Sequence, residues 1–363
     1  MRLKDIELAW RRVWVRLLTH MLRMSAGRRG AAERPRLGRV LFLRPDRIGD
    51  MIISTGVLRA IAASDPALQL DVLASPANAP VLRGETFVRR VHVLDRKHPT
   101  RMLRSIVKLR RERYDAVVDC MPTAPSVTTL LLMLASGARE RIGVAGRGND
   151  AALTIAVPRH REPRHIIDHL SALAAAFGVD ADADFSPSLT LTPEERSRAT
   201  EVWRTRGEGR GRNPRRLLVN VSAGKAARYW PNERFVEVIR RAAAQNPGLV
   251  TLVIGGPADV ERAGAVAAAA NVAVAPTPTL REALALIGTA AVVLSADTGL
   301  AHAASALRRP AVVMHVRGTS TLWGLYGAPG QVLESSDGTL GSLDVEPVWR
   351  ALDAQLRAAP GFD

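Results

Sequence analysis

From Arg39 onward, short apolar runs alternate with longer stretches in which apolar residues recur at three- and four-residue spacing, the periodicities of strands and amphipathic helices. The runs predict strands over residues 39–43, 69–74, 90–94, 115–119 and 141–144, with helices over 51–63, 76–82, 99–111 and 126–134 between them. A helix over 166–177, the acidic stretch Gly178 to Ser188 and a helix starting from Thr192 follow. The alternation then restarts, with strands over 217–222, 249–254, 272–275, 291–295 and 311–316. Helices are expected over 232–245, 259–270 and 280–287, and one opened by Asp297. Such a pattern specifies α/β architecture, parallel sheets wrapped by helices. At 363 residues the chain exceeds one comfortable core. The expected division is an extension over 1–36, α/β domains over 37–190 and 191–340, and a last amphipathic segment, 341–363, packing back across the junction.

The extension has its own pattern. Leu3, Ile6, Trp10, Val13, Trp14, Leu17, Met21 and Met24 recur at helical spacing, while Arg11, Arg12, Arg16 and Arg23 fall elsewhere. A basic amphipathic helix of this kind reads either as a membrane-surface element lying among anionic headgroups or as a terminal helix docked on the protein. The Pro- and Gly-marked stretch Gly27 to Gly38 separates it from the first strand. Residues 1–39 hold 11 Lys/Arg against three Asp/Glu, half of the formal net charge of +16. Only four of the 51 basic residues are Lys, which points to a general bias toward Arg. With 4% aromatic content and no reader motif, a nucleic-acid partner is not expected. Cys120 alone allows no disulfide framework, and its apolar setting predicts a buried thiol in a reducing compartment. No apolar run reaches the roughly 18 residues of a spanning helix and no secretory leader is evident, so the expected location is cytoplasmic.

Two strand-loop-helix corners carry the chemistry. VLSADTGLAHAAS, Val293 to Ser305, runs an apolar segment through Asp-Thr-Gly into a helix, and RVLFLRPDRIGDMIISTG, Arg39 to Gly56, does the same about 250 residues earlier. A helix start offers unpaired amides and partial positive charge, a ready site for a diphosphate. Two such corners suggest facing nucleotide-fold domains with a cleft between them. LLVNVSAGKAARYWP, Leu217 to Pro231, adds Ser222, Gly224, Lys225 and Arg228 after a strand, where small residues let amides approach an anion and cations neutralise it. Alternatively, Trp230 and Pro231 cap a helix there and the cations are merely solvated. IGGPADVE, Ile254 to Glu261, places Asp259 or Glu261 within reach of ribose hydroxyls.

RPDRIGDMIISTGVLRAI, NVSAGKAARYWPNERF, IGGPAD and SADTGLAHAASALRRPAVV, in this order and at family-like spacing, resemble the heptosyltransferase family, glycosyltransferase family 9, over about residues 38–335. The resemblance implies a GT-B fold of two Rossmann-like domains and inverting transfer from a nucleoside-diphosphate sugar of the ADP-heptose kind. It also implies no essential metal, no cofactor, and a lipopolysaccharide-core or related anionic glycolipid acceptor at the cytoplasmic face of the inner membrane. Asp50, closing DRIGD, corresponds to the family's proposed catalytic base; its other reading is an N-cap. Arg44 and Arg47, oriented by Asp46, are expected to meet the acceptor. Arg228 stands where the family pattern Lys-x-Trp-Pro has Lys, and either it or Lys225 neutralises the leaving diphosphate. Thr298 and Gly299 offer hydroxyl and amide donors, and Asp297 is aimed at sugar hydroxyls. His302, one helical turn after Thr298, either donates to the phosphates or ties the helix to the sheet. HVRGTSTLW, His315 to Trp323, replaces the family's Gly-Pro-Thr loop, with Gly318, Thr319 and Ser320 available to the diphosphate.

Other signals are set aside. Asp180 to Asp184 contains an Asp-x-Asp pattern, but in a linker, and neither Phe185 nor Leu191 suits a calcium loop. No Gly-x-Gly-x-x-Gly opens a helix after a strand. His165 and His169 are four apart with no third ligand. The rival functions are another GT-B activity, such as a nucleotide-sugar epimerase or a transferase with a different acceptor, and a non-catalytic scaffold recruited to membranes.

Overall fold

The computed structural model describes residues 3–25, 37–121, 126–146, 150–159, 165–207 and 214–359. Most of the Gly27 to Gly38 stretch and of the Arg206 to Arg216 loop lies outside them. The chain forms two compact units, Met1–Arg47 with Ser54–Phe185, and Ser186–Asp363 together with Ile48–Ile53.

The first unit runs α1 (Leu3–Ser25), β1 (Arg39–Arg44), α2 (Ile48–Ser64), β2 (Gln69–Ala74), β3 (Arg90–Val93), α3 (Pro99–Arg111), β4 (Ala116–Asp119), α4 (Val127–Ser136), β5 (Glu140–Val144), β6 (Ile155–Val157) and α5 (Ile166–Ser171), with the first turns of α2 grouped in the second unit. Its six parallel strands are ordered β3-β2-β1-β4-β5-β6. β1 is central and buried from Val40 to Arg44, as an interior parallel strand requires. Gly137 ends α4 with φ 65°, a left-handed cap that a side chain would strain. α1 packs on α4 and buries Leu18 and Leu22, and Arg141 Nη2 donates to the Leu22 carbonyl at 3.0 Å. Each buried leucine contributes roughly 2 kcal/mol to that docking.

At the N-terminal end of this sheet, Asp71 on β2 is fully buried and accepts from Arg89 Nε at 2.9 Å and Tyr114 Oη at 2.7 Å, with His92 Nε2 at 3.3 Å. Burial alone would raise its pKa, but the hydrogen bonds from His92, Arg89 and Tyr114 outweigh that and hold it near 2.

The second unit runs α6 (Pro193–Arg206), β7 (Arg216–Asn220), α7 (Asn232–Gln245), β8 (Val250–Ile254), α8 (Val260–Ala270), β9 (Ala273–Val274), α9 (Leu280–Gly288), β10 (Val292–Ala296), α10 (Gly299–Ala306), β11 (Ala311–His315), α11 (Ser320–Trp323), β12 (Gly330–Glu334) and α12 (Val345–Ala358). Its parallel sheet is ordered β12-β11-β10-β7-β8-β9, the arrangement of the first sheet repeated. Thr192 opens α6 with a reciprocal cap: its hydroxyl accepts from Glu195 N at 3.2 Å and the Glu195 carboxylate accepts from Thr192 N at 3.0 Å. Arg281 of α9 donates to the same carboxylate at 2.7 Å and joins the two helices. The terminal helix, expected to pack back across the junction, has its main contacts on α7 and β10 to β12 of its own unit.

Three local expectations need correction. Residues 76–82 are not a helix beyond a 3-10 turn over Ala79–Leu82, because Asn78 Oδ1 accepts from Ser75 N at 2.8 Å and its Nδ2 donates to the Arg44 carbonyl at 2.9 Å, closing a side-chain turn instead. The helix over 166–177 is α5 followed by a 3-10 segment from Ala172. His165, spaced like a metal ligand, caps α5: its Nδ1 accepts from Ile167 N at 3.2 Å. β6 and β12, one at an edge of each sheet, were not expected at all.

Candidate active site

In a sheet of this order the strand sequence reverses beside the first strand, and the crevice above the carboxyl ends of the two diverging strands is where such folds hold ligands. In the second unit those strands are β7 and β10. β7 ends at Asn220, whose Nδ2 donates to Ser295 Oγ at 2.9 Å and Thr298 Oγ1 at 3.1 Å. Ser295 passes its own proton to the Ala296 carbonyl at 2.7 Å. The Thr298 hydroxyl therefore accepts from within, and no acceptor among the described residues takes its proton. Thr298 is the N-cap of α10 in extended conformation, yet its side chain does not cap the helix. The first-turn amides and the Thr298 hydroxyl therefore both lie at the start of α10, where a helix offers unpaired donors to an anion. α10 starts two residues later than expected, so Asp297 precedes the cap.

Asp297 is nearly buried and closely engaged. Arg228 Nη1 lies 2.9 Å from its Oδ2, outside hydrogen-bond alignment, and donates weakly to its carbonyl at 3.4 Å. On the far side His315 Nδ1 is 3.7 Å from the same oxygen and 3.2 Å from Thr319 Oγ1. Because Thr319 donates to the Val316 carbonyl at 2.9 Å, it accepts from His315, which places the imidazole proton on Nδ1. Burial pushes the His315 pKa below the ordinary value more strongly than Asp297 raises it, so the ring is neutral at pH 7. Sequence reasoning places His315 only at the head of HVRGTSTLW and gives it no role. Its signal was a polar residue ending an otherwise apolar strand.

The loop after β7 is split in function. Ser222 Oγ accepts from Gly256 N at 2.7 Å and ties this loop to the one after β8, while Gly224 faces open space. Lys225 is exposed and has no side-chain partner among the described residues. Trp230 is fully buried, packs edge-on against Phe235 at 4.9 Å and donates to the Leu343 carbonyl at 2.7 Å, which anchors the loop. Asp259 accepts from Tyr229 Oη at 2.7 Å, and that bond and burial raise the tyrosine pKa. Glu261 is exposed on α8. Gly318 adopts φ 76°, the left-handed turn that a loop with Gly at this point provides.

Residues Ile48–Ile53, the start of α2, group with this unit. A Cβ on Gly49 would stand 2.9 Å from His302 Cδ2, and one on Gly299 2.9 Å from Gly49 N, so both positions require glycine for this approach. Asp50 follows directly. It sits in the first turn of α2, three residues past the N-cap Arg47, because the helix begins at Ile48 and not at Met51. An N-cap role for Asp50 is thereby excluded. His302 is buried and its ring lies 6.3 Å from that of Trp323.

Arg44 differs from its expected role. It is fully buried, donates to the Cys120 carbonyl at 2.6 Å and pairs with Asp46 at 3.2 Å, so an acceptor does not reach it. Arg47 is the exposed member of the pair. Among the described residues no group of three or more His, Cys, Asp or Glu could hold a metal ion, and no helix is long and apolar enough to cross a membrane.

Comparison with known proteins bears on the family and the fold. The family model for glycosyltransferase family 9 (heptosyltransferase) matches residues 102–339. Lipopolysaccharide heptosyltransferase 2 of Escherichia coli K12 is 24% identical over 292 residues, covering 76% of this chain and 82% of that protein. Among solved structures, a family 9 glycosyl transferase from Veillonella parvula superposes with a TM-score of 0.78 at 19% identity over 89% of this chain and 98% of its own. The ADP-heptose lps heptosyltransferase II of E. coli gives 0.71 at 20% identity, with 88% and 99% covered. The fold is that of these two-domain transferases, and the match spans well over half of the sequence: the chain is a glycosyltransferase and belongs to family 9, the heptosyltransferases.

Proposed function

We propose that the protein transfers a heptose-like sugar from ADP-heptose or a close nucleoside-diphosphate analogue to an anionic, lipopolysaccharide-core type acceptor, with inversion and without a divalent metal. The observation that carries this reading is the Thr298 hydroxyl, held by Asn220 with its proton unspent, beside the uncapped start of α10. The names of the relatives supply the donor and acceptor class.

In this reading Asp50 accepts the proton of the acceptor hydroxyl as that oxygen bonds to the anomeric carbon from the face opposite the diphosphate. The carbon-oxygen bond to phosphate breaks and its electron pair leaves with the nucleoside diphosphate. A carboxylate in the first turn of a helix is a weak base, so proton transfer is late and accompanies bond formation. Thr298, the Gly299 amide and Lys225 stabilise the departing charge. Arg228, already balanced by Asp297, chiefly fixes that carboxylate toward sugar hydroxyls, while His315 holds the Thr319 turn. Arg47 meets the anionic acceptor, and Asp259 turns to a ribose hydroxyl through the pair it forms with Tyr229.

The test is transfer and donor binding in Asp50→Asn. Transfer is expected to fall by about 10²–10⁴-fold while the Kd for ADP stays within a factor of two or so. Wild-type transfer by this variant removes the base assignment. Activity that survives EDTA is expected throughout, and a product with retained anomeric configuration contradicts the single-displacement step.

A further inference from the structure

Nine of the eleven large hydrophobic side chains that stand exposed among the described residues lie on α1, α3 and α4. These helices form one layer. α4 packs against both neighbours, and inward residues Leu22, Leu109 and Leu130 share a core with Leu41 and Leu43 of β1. The exposed residues are therefore the outward side of a single face.

α1 has two apolar sides. Leu18 and Leu22 are buried against the body, whereas Trp10, Val13, Trp14, Leu17, Met21 and Met24 are exposed and recur at helical spacing as a stripe about 100° wide. The helix is docked on the body through one side and bares an apolar stripe on another. On α3, Leu103 is 62% exposed and Val107 stands one turn away, and Leu131 of α4 is exposed between the two helices. Monomeric proteins rarely leave so many large apolar side chains bare on one layer of helices.

Charge identifies what covers it. Arg16 and Arg23 are exposed on α1, and α3 exposes Arg104, Lys108 and Arg111 with no acidic residue in its span. A second copy pairing through this face would set like charges against one another. An anionic bilayer satisfies both features: Trp and Met enter the headgroup boundary while Arg and Lys meet lipid phosphates. We propose that the α1–α4–α3 face is a preformed binding surface for an anionic membrane, with α3 and α4 contributing alongside the N-terminal helix. This goes beyond the transfer reaction and does not depend on it.

The experiment is co-sedimentation of the full chain with vesicles of phosphatidylcholine alone or mixed with phosphatidylglycerol, with no sugar nucleotide present. Binding to the mixed vesicles alone is expected, weakening as salt rises. Trp14→Ala with Leu17→Ala is expected to weaken it on the order of tenfold or more, and Arg104→Glu with Lys108→Glu on the order of tenfold. Both pairs are exposed, so circular dichroism and the melting temperature should match wild type. Equal binding to both vesicle types overturns the proposal, as does an α3 variant that binds like wild type. So does a chain that ignores vesicles and instead forms a dimer that Trp14→Ala disrupts.

Discussion

The two sheets share one strand order, yet the crevices at their reversal points are built for different ends. In the first unit β1 ends in Arg44, a long cation that fills the space beside β4 and spends itself on the Cys120 carbonyl and Asp46. In the second, β7 ends in Asn220, a short amide that reaches only to Ser295 and Thr298 and leaves a hydroxyl proton unspent. The difference teaches that one topology can end its central strand in a side chain whose partners are all internal or in one that leaves a hydroxyl proton unspent.

The contrast can be broken from either side. Arg44→Met should cost the largest amount, roughly 3 kcal/mol of folding stability in denaturant titration, because it strands a buried carbonyl and a carboxylate. ADP affinity should stay unchanged, and a variant that folds normally but loses ADP would reverse the roles assigned to the two crevices. A second stability effect belongs to the far end of the first sheet. Asp71 has a depressed folded-state pKa of about 2 against 3.8 ordinarily, so its contribution, roughly 2 kcal/mol, is present above pH 4 and disappears as pH falls toward 2. Asp71→Asn should flatten the acid limb of the stability curve in that window, and an unaltered limb would assign acid unfolding elsewhere.

Smaller effects sharpen the division within the second unit. Lys225→Ala should lower kcat several-fold, since it removes charge that stabilises the departing diphosphate, whereas Arg228→Ala should chiefly raise the donor KM because it frees the Asp297 that meets the sugar hydroxyls. Equal profiles for the two variants would mean that both cations serve the diphosphate.

Much of this was legible in the sequence. Residues 99–111 and 232–245 are helices at the bounds their spacing predicted, and all ten expected strands are present, since buried parallel strands write themselves as uninterrupted apolar runs. The two strands missed are edge strands. β6, IAV, is apolar but only three residues long, and β12, GQVLE, is largely exposed and opens on a glycine, so neither carries the signature of a full buried strand. At the site, the sequence located the corners but not their pairings. Nothing in the spacing of Arg228 and Asp297, 69 positions apart, says that they meet, nor that Arg44 faces inward and Arg47 outward. Those outcomes depend on burial, which a strand-end residue acquires only from the loops that cover it.

The central claim is that the Asn220–Thr298 corner at the start of α10 receives the nucleotide diphosphate. Titrating ADP into the full chain and into Thr298→Val by calorimetry tests it most directly. Saturable binding by the wild type, weakened on the order of tenfold or more by removal of the hydroxyl, is expected at unchanged melting temperature. Equal affinity in the two proteins would contradict it.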